Sequence, residues 1–93
     1  AKKFMNVTVL FTDIVGFTKM SEKMSAEELV TILNKMISLF DMRARQEGIE
    51  KIKTIGDAYM AATGFDDRTD NSAALRMVHF ANGLLDDVYR WIV

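Results

Sequence analysis

The stretch Glu50-Lys-Ile-Lys-Thr-Ile-Gly-Asp-Ala-Tyr-Met-Ala-Ala-Thr63 contains two short runs that are broken by Gly56 and Asp57. Glycine adopts a positive φ without steric cost, so this dipeptide is typical of the turn between two strands. The stretch therefore predicts a hairpin of two antiparallel strands. It also places the carboxylate of Asp57 in the turn.

A first strand is predicted well before this hairpin. Residues 5–13 alternate in the way that successive residues of a strand do, so they form two faces. One face carries Val7, Val9, Phe11 and Asp13, and the other carries Thr8, Leu10 and Thr12. The strand therefore ends in an acid, Asp13, and Gly16 follows shortly after it.

Helices are predicted between the first strand and the hairpin. A short amphipathic stretch covers residues 17–24, and Ser25 and Glu28 then have the spacing of a capping box. Apolar residues recur at helical spacing from there until Gly48, which is typical of a helix end. We expect the main helix over residues 26–47.

A last helix is predicted after the hairpin. Residues 64–70 form a polar loop, and Asp70 or Asn71 can cap a helix that runs to the end of the chain. We expect its buried, apolar face to consist of Ala74, Leu75, Val78, Ala81, Leu85, Val88 and Ile92.

The order strand, helices, strand, strand, helix predicts an α+β fold. It matches a ferredoxin-like split β-α-β unit (β-α-α-β-β-α) that is truncated before its final strand. A right-handed crossover makes the first two strands parallel, with the third inserted antiparallel between them. The end of the first strand then lies beside the start of the third, so we expect Asp13 and Asp57 to meet at one edge of the sheet.

Composition excludes several classes of function. The 93 residues fit one domain, and 12 basic against 13 acidic residues argue against a nucleic-acid partner. The chain has no cysteine and a single histidine, His79, which makes thiolate catalysis, zinc clusters and a Ser-His relay implausible. No apolar run is long enough to span a membrane and no signal peptide is evident. We therefore expect this segment to be cytoplasmic and without direct membrane contact, whether or not a longer parent protein is anchored in a membrane.

Two aspartates at one sheet edge favour a metal site. Neighbouring carboxylates repel each other unless a cation lies between them, and all-oxygen ligands select Mg²⁺ or Mn²⁺. After Asp13 the chain turns into a helix N-terminus at Gly16, where free N–H groups favour phosphate oxygens. Each aspartate alone is explained as well by a strand end or a turn, and it is their combination that favours metal and nucleotide.

These residues resemble a known family. Phe11-Thr-Asp-Ile-Val-Gly-Phe-Thr18 and Lys51-Ile-Lys-Thr-Ile-Gly-Asp-Ala-Tyr-Met60 are similar to the two signature segments of the class III nucleotide cyclases. The resemblance covers essentially the whole chain, so residues 1–93 are expected to be part of such a catalytic domain, its N-terminal half. It implies conversion of ATP to cyclic AMP and pyrophosphate, by attack of the ribose 3′-hydroxyl on the α-phosphate.

The resemblance also implies roles for individual residues. The acids matching Asp13 and Asp57 bind two Mg²⁺ or Mn²⁺ ions, and the backbone carbonyl of Ile14 is a further metal ligand. The backbone that wraps the phosphates is that of Gly16, Phe17 and Thr18.

Lys53 is the candidate purine contact. By alternation it is expected to share a strand face with Lys51, opposite Ile52. An ammonium only donates hydrogen bonds, so it suits the acceptor N1 of adenine, whereas the N1–H of guanine would suit a carboxylate. In the family this position is Lys in adenylyl cyclases and usually Glu in guanylyl cyclases. The resemblance therefore implies ATP, and a guanylyl cyclase is the alternative.

The family's sites form at a dimer interface, with the metal acids from one protomer and the purine-reading lysine from the other. Because this chain carries both, the resemblance implies a head-to-tail homodimer with two equivalent sites. A longer family domain also supplies a second purine contact and the Asn and Arg that stabilise the transition state. We expect surface roles for the arginines of this chain, which are Arg43, Arg45, Arg68, Arg76 and Arg90.

Two rival interpretations remain open. Without the missing Asn and Arg, the chain alone is expected to be inactive, so it can instead be a non-catalytic fragment that dimerises or binds nucleotide and metal. A diguanylate cyclase or a polymerase palm shares the topology and the paired acids. The turn Thr54-Ile-Gly-Asp-Ala58 lacks the acidic Gly-Gly expected of diguanylate cyclases, which weakens that alternative.

Overall fold

A computed structural model describes residues 6–65 and 72–92 of the chain. Its elements are β1 (Thr8–Thr12), α1 (Phe17–Glu22), α2 (Ala26–Glu47), β2 (Glu50–Ile55), β3 (Ala58–Thr63) and α3 (Ser72–Ile92). The three strands form one antiparallel sheet in the order β1-β3-β2. This confirms the predicted α+β fold and strand order. The capping positions Asp70 and Asn71 lie outside the described residues.

Helix α2 has the bounds that its sequence predicts. Ser25 has an extended backbone, and its hydroxyl oxygen accepts the amide of Glu28 at 3.1 Å. At the other end, Gly48 has a left-handed backbone with φ of 68°, and its N–H donates to the carbonyl of Ala44. Both ends are therefore closed by the local hydrogen bonds that the capping pattern indicates.

The core lies between the helices and one face of the sheet. It contains Met36, Phe40, Ala44, Ile49, Tyr59, Ala61, Met77, Phe80 and Leu84. Tyr59 and Phe80 are fully buried, and the rings of Phe40 and Tyr59 meet edge to face with centroids 5.2 Å apart. Leu10 of β1 also packs against this cluster, so the helices cover all three strands from one side.

The predicted buried face of α3 is wrong at most of its positions, although Val88 does pack against the core. The residues that α3 buries are Ala73, Met77, Phe80 and Leu84. Leu75, Leu85 and Ile92 of the predicted face are more than 70% exposed instead. The helix carries apolar residues around most of its circumference, and the stripe with Phe80 faces the sheet. Periodicity alone does not distinguish two apolar stripes on one helix.

Arg43 also departs from its predicted surface role, because it joins α2 to α3. Its Nε and Nη2 donate to the two carboxylate oxygens of Asp87 at 2.6 and 2.8 Å, and its Nη1 donates to Glu47 at 2.8 Å. The side chain is only 24% exposed. Gly83 leaves room for it, since a Cβ at that position would lie 2.6 Å from Cδ of Arg43. The pair is therefore an interhelical clamp.

We expect Asp87→Asn to lower the free energy of unfolding by about 1–3 kcal/mol at pH 7, because it leaves the guanidinium of Arg43 without its bidentate partner. The hydrogen bonds from Arg43 hold the pKa of Asp87 below its ordinary value. A carboxylate with a lowered folded-state pKa stabilises the fold above its unfolded-state pKa, and this contribution disappears as pH falls through the folded-state pKa. The difference from the parent protein should therefore shrink below about pH 4.

Denaturant titration between pH 3 and pH 7 measures this difference. Asp86→Asn is the matched control, because Asp86 forms an exposed ion pair with Arg90 on the same helix, and it should cost about 0.5 kcal/mol or less. Equal costs for the two variants at neutral pH would contradict the interhelical role of Asp87.

Candidate active site

The two predicted aspartates meet at one end of the sheet. Asp13 follows β1 and Asp57 lies in the turn before β3, and the antiparallel pairing of these strands brings them together. The amide of Ile14 donates to Asp13 Oδ1 at 3.0 Å and to Asp57 Oδ2 at 3.2 Å. One backbone N–H thus bridges both carboxylates. This confirms that the topology places the two acids side by side.

The proximity of the two carboxylates shifts their pKa values in opposite directions. The hydrogen bond with Asp57 raises the pKa of Asp13, and the negative charge of Asp57 adds to that effect. The same hydrogen bond lowers the pKa of Asp57. Two acids that meet in this way prefer a positive charge between them, which a divalent cation can supply.

The donor set fits a hard divalent cation. It offers the carboxylates of Asp13 and Asp57 and the carbonyl of Ile14, which accepts the amide of Phe17 at 3.3 Å and retains a second lone pair. Within residues 6–65 and 72–92, no three His, Cys, Asp or Glu side chains form a metal-binding group. Mg²⁺ is commonly held by one or two carboxylates together with water and substrate phosphates, so the site suits a cation bound with a nucleotide.

A cleft of about 470 Å³ opens beside the acids. It is lined by Asp13, Ile14, Val15, Gly16, Phe17, Thr18, Lys19 and Asp57. Gly16 has φ of 73°, a left-handed conformation that lets the chain turn sharply from β1 into α1. The predicted phosphate-binding residues Gly16, Phe17 and Thr18 therefore lie at the same cleft as the acids.

Lys19 is a further residue of this cleft that the sequence analysis did not single out. The feature of the sequence that could have identified Lys19 is its position directly after Thr18, in the first turn of a helix that begins beside a proposed phosphate site. A lysine there adds a positive charge near phosphate oxygens.

The predicted orientation of Lys53 relative to Lys51 is wrong, because β2 contains a bulge. Lys51 pairs with Ala61 and Lys53 pairs with the adjacent Met60, so the register shifts between the two lysines. Adjacent residues of β3 point to opposite faces, and their partners do too. Lys51 therefore faces the helices, whereas Lys53 lies on the open face of the sheet.

The open face carries Lys53 in a cross-strand row with Met60 of β3 and Phe11 of β1. Lys53 is exposed, and Phe11 is 62% exposed. The structure thus presents a lysine at one end of a row of apolar side chains, on the sheet surface that the helices leave uncovered. An aromatic or heterocyclic ring could pack on such a surface while the ammonium donates to it.

The family described as "Adenylate and Guanylate cyclase catalytic domain" matches residues 1–92. The chain belongs to this family, which removes the diguanylate cyclase and polymerase alternatives. Among the described residues, no helix has the length and apolar character needed to cross a membrane.

Individual relatives agree with the family assignment. The chain is 42% identical over 86 residues to "Guanylyl cyclase, membrane" of Dictyostelium discoideum, covering 92% of this chain and 6% of that protein. The guanylate cyclase domain of RhGC from Catenaria anguillulae in complex with GTP superposes with a TM-score of 0.83 at 37% identity, over 92% of this chain and 47% of that one. The adenylyl cyclase CyaB from P. aeruginosa gives 0.70 at 27%, over 91% and 46%.

We expect Asp13→Asn and Asp57→Asn each to weaken Mn²⁺ binding to the chain by about tenfold or more, because each removes a charged oxygen ligand. Isothermal titration calorimetry measures the affinity, and circular dichroism should show an unchanged fold. Asp86→Asn is the control, since it removes an exposed carboxylate on α3, away from the cleft. Binding by both cleft variants that equals the binding by this control would contradict the metal site.

Proposed function

We propose that residues 1–93 form part of a cyclase catalytic domain that converts ATP to cyclic AMP and pyrophosphate. The observation that carries this proposal is the bridge from the Ile14 amide to Asp13 and Asp57, at a cleft that the turn at Gly16 also lines. Two acids and a backbone turn at one cleft match the needs of a metal-bound triphosphate.

The cleft residues have two proposed roles, metal binding and phosphate binding. Asp13 and Asp57, with the carbonyl of Ile14, hold two Mg²⁺ or Mn²⁺ ions, which supply positive charge at the reacting phosphate when bound. The turn at Gly16, Phe17 and Thr18 directs backbone amides at the phosphates. The amide of Phe17 already donates to Ile14 at 3.3 Å, so the neighbouring amides are the better candidates.

The reaction joins the ribose 3′-oxygen to the α-phosphorus and releases pyrophosphate. This chain would orient the triphosphate so that the 3′-hydroxyl lies in line with the leaving group, which is the main contribution a protein makes to phosphoryl transfer. Within the described part of the chain, no arginine lines the cleft, and Arg43 is engaged with Asp87 and Glu47. We propose that the Asn and Arg that the family resemblance implies for transition-state stabilisation come from residues outside this chain.

Lys53 supports ATP as the substrate. Its ammonium is exposed on the open sheet face, and it forms no ion pair with residues 6–65 or 72–92. A group that only donates hydrogen bonds matches N1 of adenine and not the N1–H of guanine. The purine would then lie against the row that contains Phe11 and Met60.

GTP is the second candidate substrate. Similar proteins favour GTP, since the Dictyostelium relative is a guanylyl cyclase and the Catenaria domain was solved with GTP. The P. aeruginosa relative is an adenylyl cyclase. Comparison of ATP with GTP as substrates is therefore the direct test of the ATP proposal.

The proposed assembly is a head-to-tail homodimer. The acid cleft lies at the end of β1 and Lys53 lies on the open face of β2, and both are accessible to a second copy. A two-fold pair would place the Lys53 of one copy at the cleft of the other, twice. A fragment that binds metal and nucleotide without turnover remains the non-catalytic alternative.

Lys53→Glu should lower the use of ATP by about tenfold or more relative to GTP, because a charged hydrogen bond to adenine is replaced by an acceptor. Turnover is measured in a hybrid in which this chain replaces the matching part of the P. aeruginosa domain. Lys35→Glu, on the exposed surface of α2, makes the same charge change and is the control. An ATP-to-GTP ratio equal to that of the control would show that Lys53 does not read the purine.

The 93-residue chain alone should produce no measurable cyclic AMP or cyclic GMP with Mn²⁺. Loss of even one donor to a transition-state oxyanion typically costs about a hundredfold or more. Manganese-dependent binding of a fluorescent ATP analogue should persist, because the cleft residues are present. Size-exclusion chromatography beside the assay defines the active species, and sustained turnover by a monomer would contradict the interfacial site.

A further inference from the structure

A polar cluster of Asp41, Lys51 and Tyr59 lies on the helical side of the sheet, away from the acid cleft. The hydroxyl of Tyr59 donates to Asp41 Oδ1 at 2.8 Å, and the ammonium of Lys51 donates to Asp41 Oδ2 at 3.2 Å. The same ammonium lies 5.7 Å from the centroid of the Tyr59 ring. A single carboxylate on α2 therefore contacts both β2 and β3.

Tyr59 anchors this cluster in the core. Its side chain is fully buried and meets Phe40 edge to face. Burial, together with the neighbouring Asp41, raises the pKa of Tyr59 well above its ordinary value, so the hydroxyl stays neutral and donates. Asp41 and Lys51 are about one-third exposed, so solvent screens their attraction in part, and the buried Tyr59 bond fixes the carboxylate.

The cluster lies next to the bulge that sets the direction of Lys53. Ile52 is the extra residue between Lys51 and Lys53 in the β2–β3 register. Without the bulge, Lys53 would share a face with Lys51 and would point toward the helices. A bulge interrupts the ladder hydrogen bonds, so the strand needs other contacts to keep this register in preference to a regular one.

We infer that Asp41 is a positioning residue that holds this bulge and thereby keeps Lys53 on the open face of the sheet. By binding Lys51 it fixes the strand immediately before the bulge, and by accepting from Tyr59 it fixes the partner strand to the same point. In a regular strand the two lysines would share one face of the sheet. Either Lys51 would then lose its contact with Asp41, or Lys53 would leave the open face. The importance of Lys53 in this inference rests on the proposed function, whereas the bulge itself does not.

Nuclear magnetic resonance of the uniformly labelled 93-residue chain tests the inference without any nucleotide. The readouts are the cross-strand contacts between Lys53 and Met60, and hydrogen exchange of the amides of residues 52–54. In Asp41→Asn, which keeps the size and the Tyr59 acceptor, these contacts should weaken and exchange should accelerate about tenfold. Exchange in β1 should change little.

Substitutions at Lys51 supply the second arm. Lys51→Met keeps the apolar stem and should reproduce the changes of Asp41→Asn, and Lys51→Arg should restore the parent spectrum. The double variant Asp41→Asn/Lys51→Met should be no worse than either single variant, because both substitutions remove the same ion pair. Asp86→Asn, in a surface ion pair of α3, should leave residues 52–54 unchanged.

The outcomes separate the inference from the proposed function. Unchanged Lys53–Met60 contacts and exchange rates in both Asp41→Asn and Lys51→Met would overturn the inference, whatever the protein binds. If the bulge changes in these variants, the inference holds, and the ATP-to-GTP ratio of the hybrid then reports on the role of Lys53 alone. A ratio that falls for Lys53→Glu and also for Asp41→Asn supports both.

Discussion

The antiparallel pairing of β1 with β3 is the constraint on which the rest of the structure depends. Its register runs from Thr8 opposite Thr63 to Thr12 opposite Tyr59. The residue that follows β1 and the turn that precedes β3 are therefore neighbours. These positions hold Asp13 and Asp57. A slip of one residue would turn Leu10 out of the core. Burial on the helical face thus enforces the geometry of the acid pair.

Local patterns predicted the elements and their order. The capping residues around α2, the glycine turn of the hairpin and the alternation of β1 each depend on neighbours in the sequence, and all are present in the structure. The handedness of the crossover then leaves one strand order. For the same reason the meeting of Asp13 and Asp57 was predictable, since it follows from topology and needs no side-chain packing.

The errors concern features that neighbours in sequence do not determine. The bulge at Ile52 became visible only in the pairing of β2 with β3, and α3 offers two apolar stripes of which the sheet takes one. The sequence predicts Arg43 to be a surface residue, because only the packing of α3 against α2 brings Asp87 next to it. Each of these depends on which side chains a distant element presents. Tertiary packing selects among local alternatives that are nearly equal in energy.

The acid pair also has a thermodynamic consequence for the fold. The β1–β3 ladder forces Asp13 and Asp57 together, and the hydrogen bond with Asp57, to which the charge of Asp57 adds, raises the pKa of Asp13. The unfolded chain does not hold the two carboxylates in contact, so a divalent cation that binds between them binds the folded chain preferentially and stabilises it. In the proposed metal site, strand pairing and cation binding are therefore linked. Whatever strengthens the ladder prepares the acids for the cation, and the cation in turn favours the ladder.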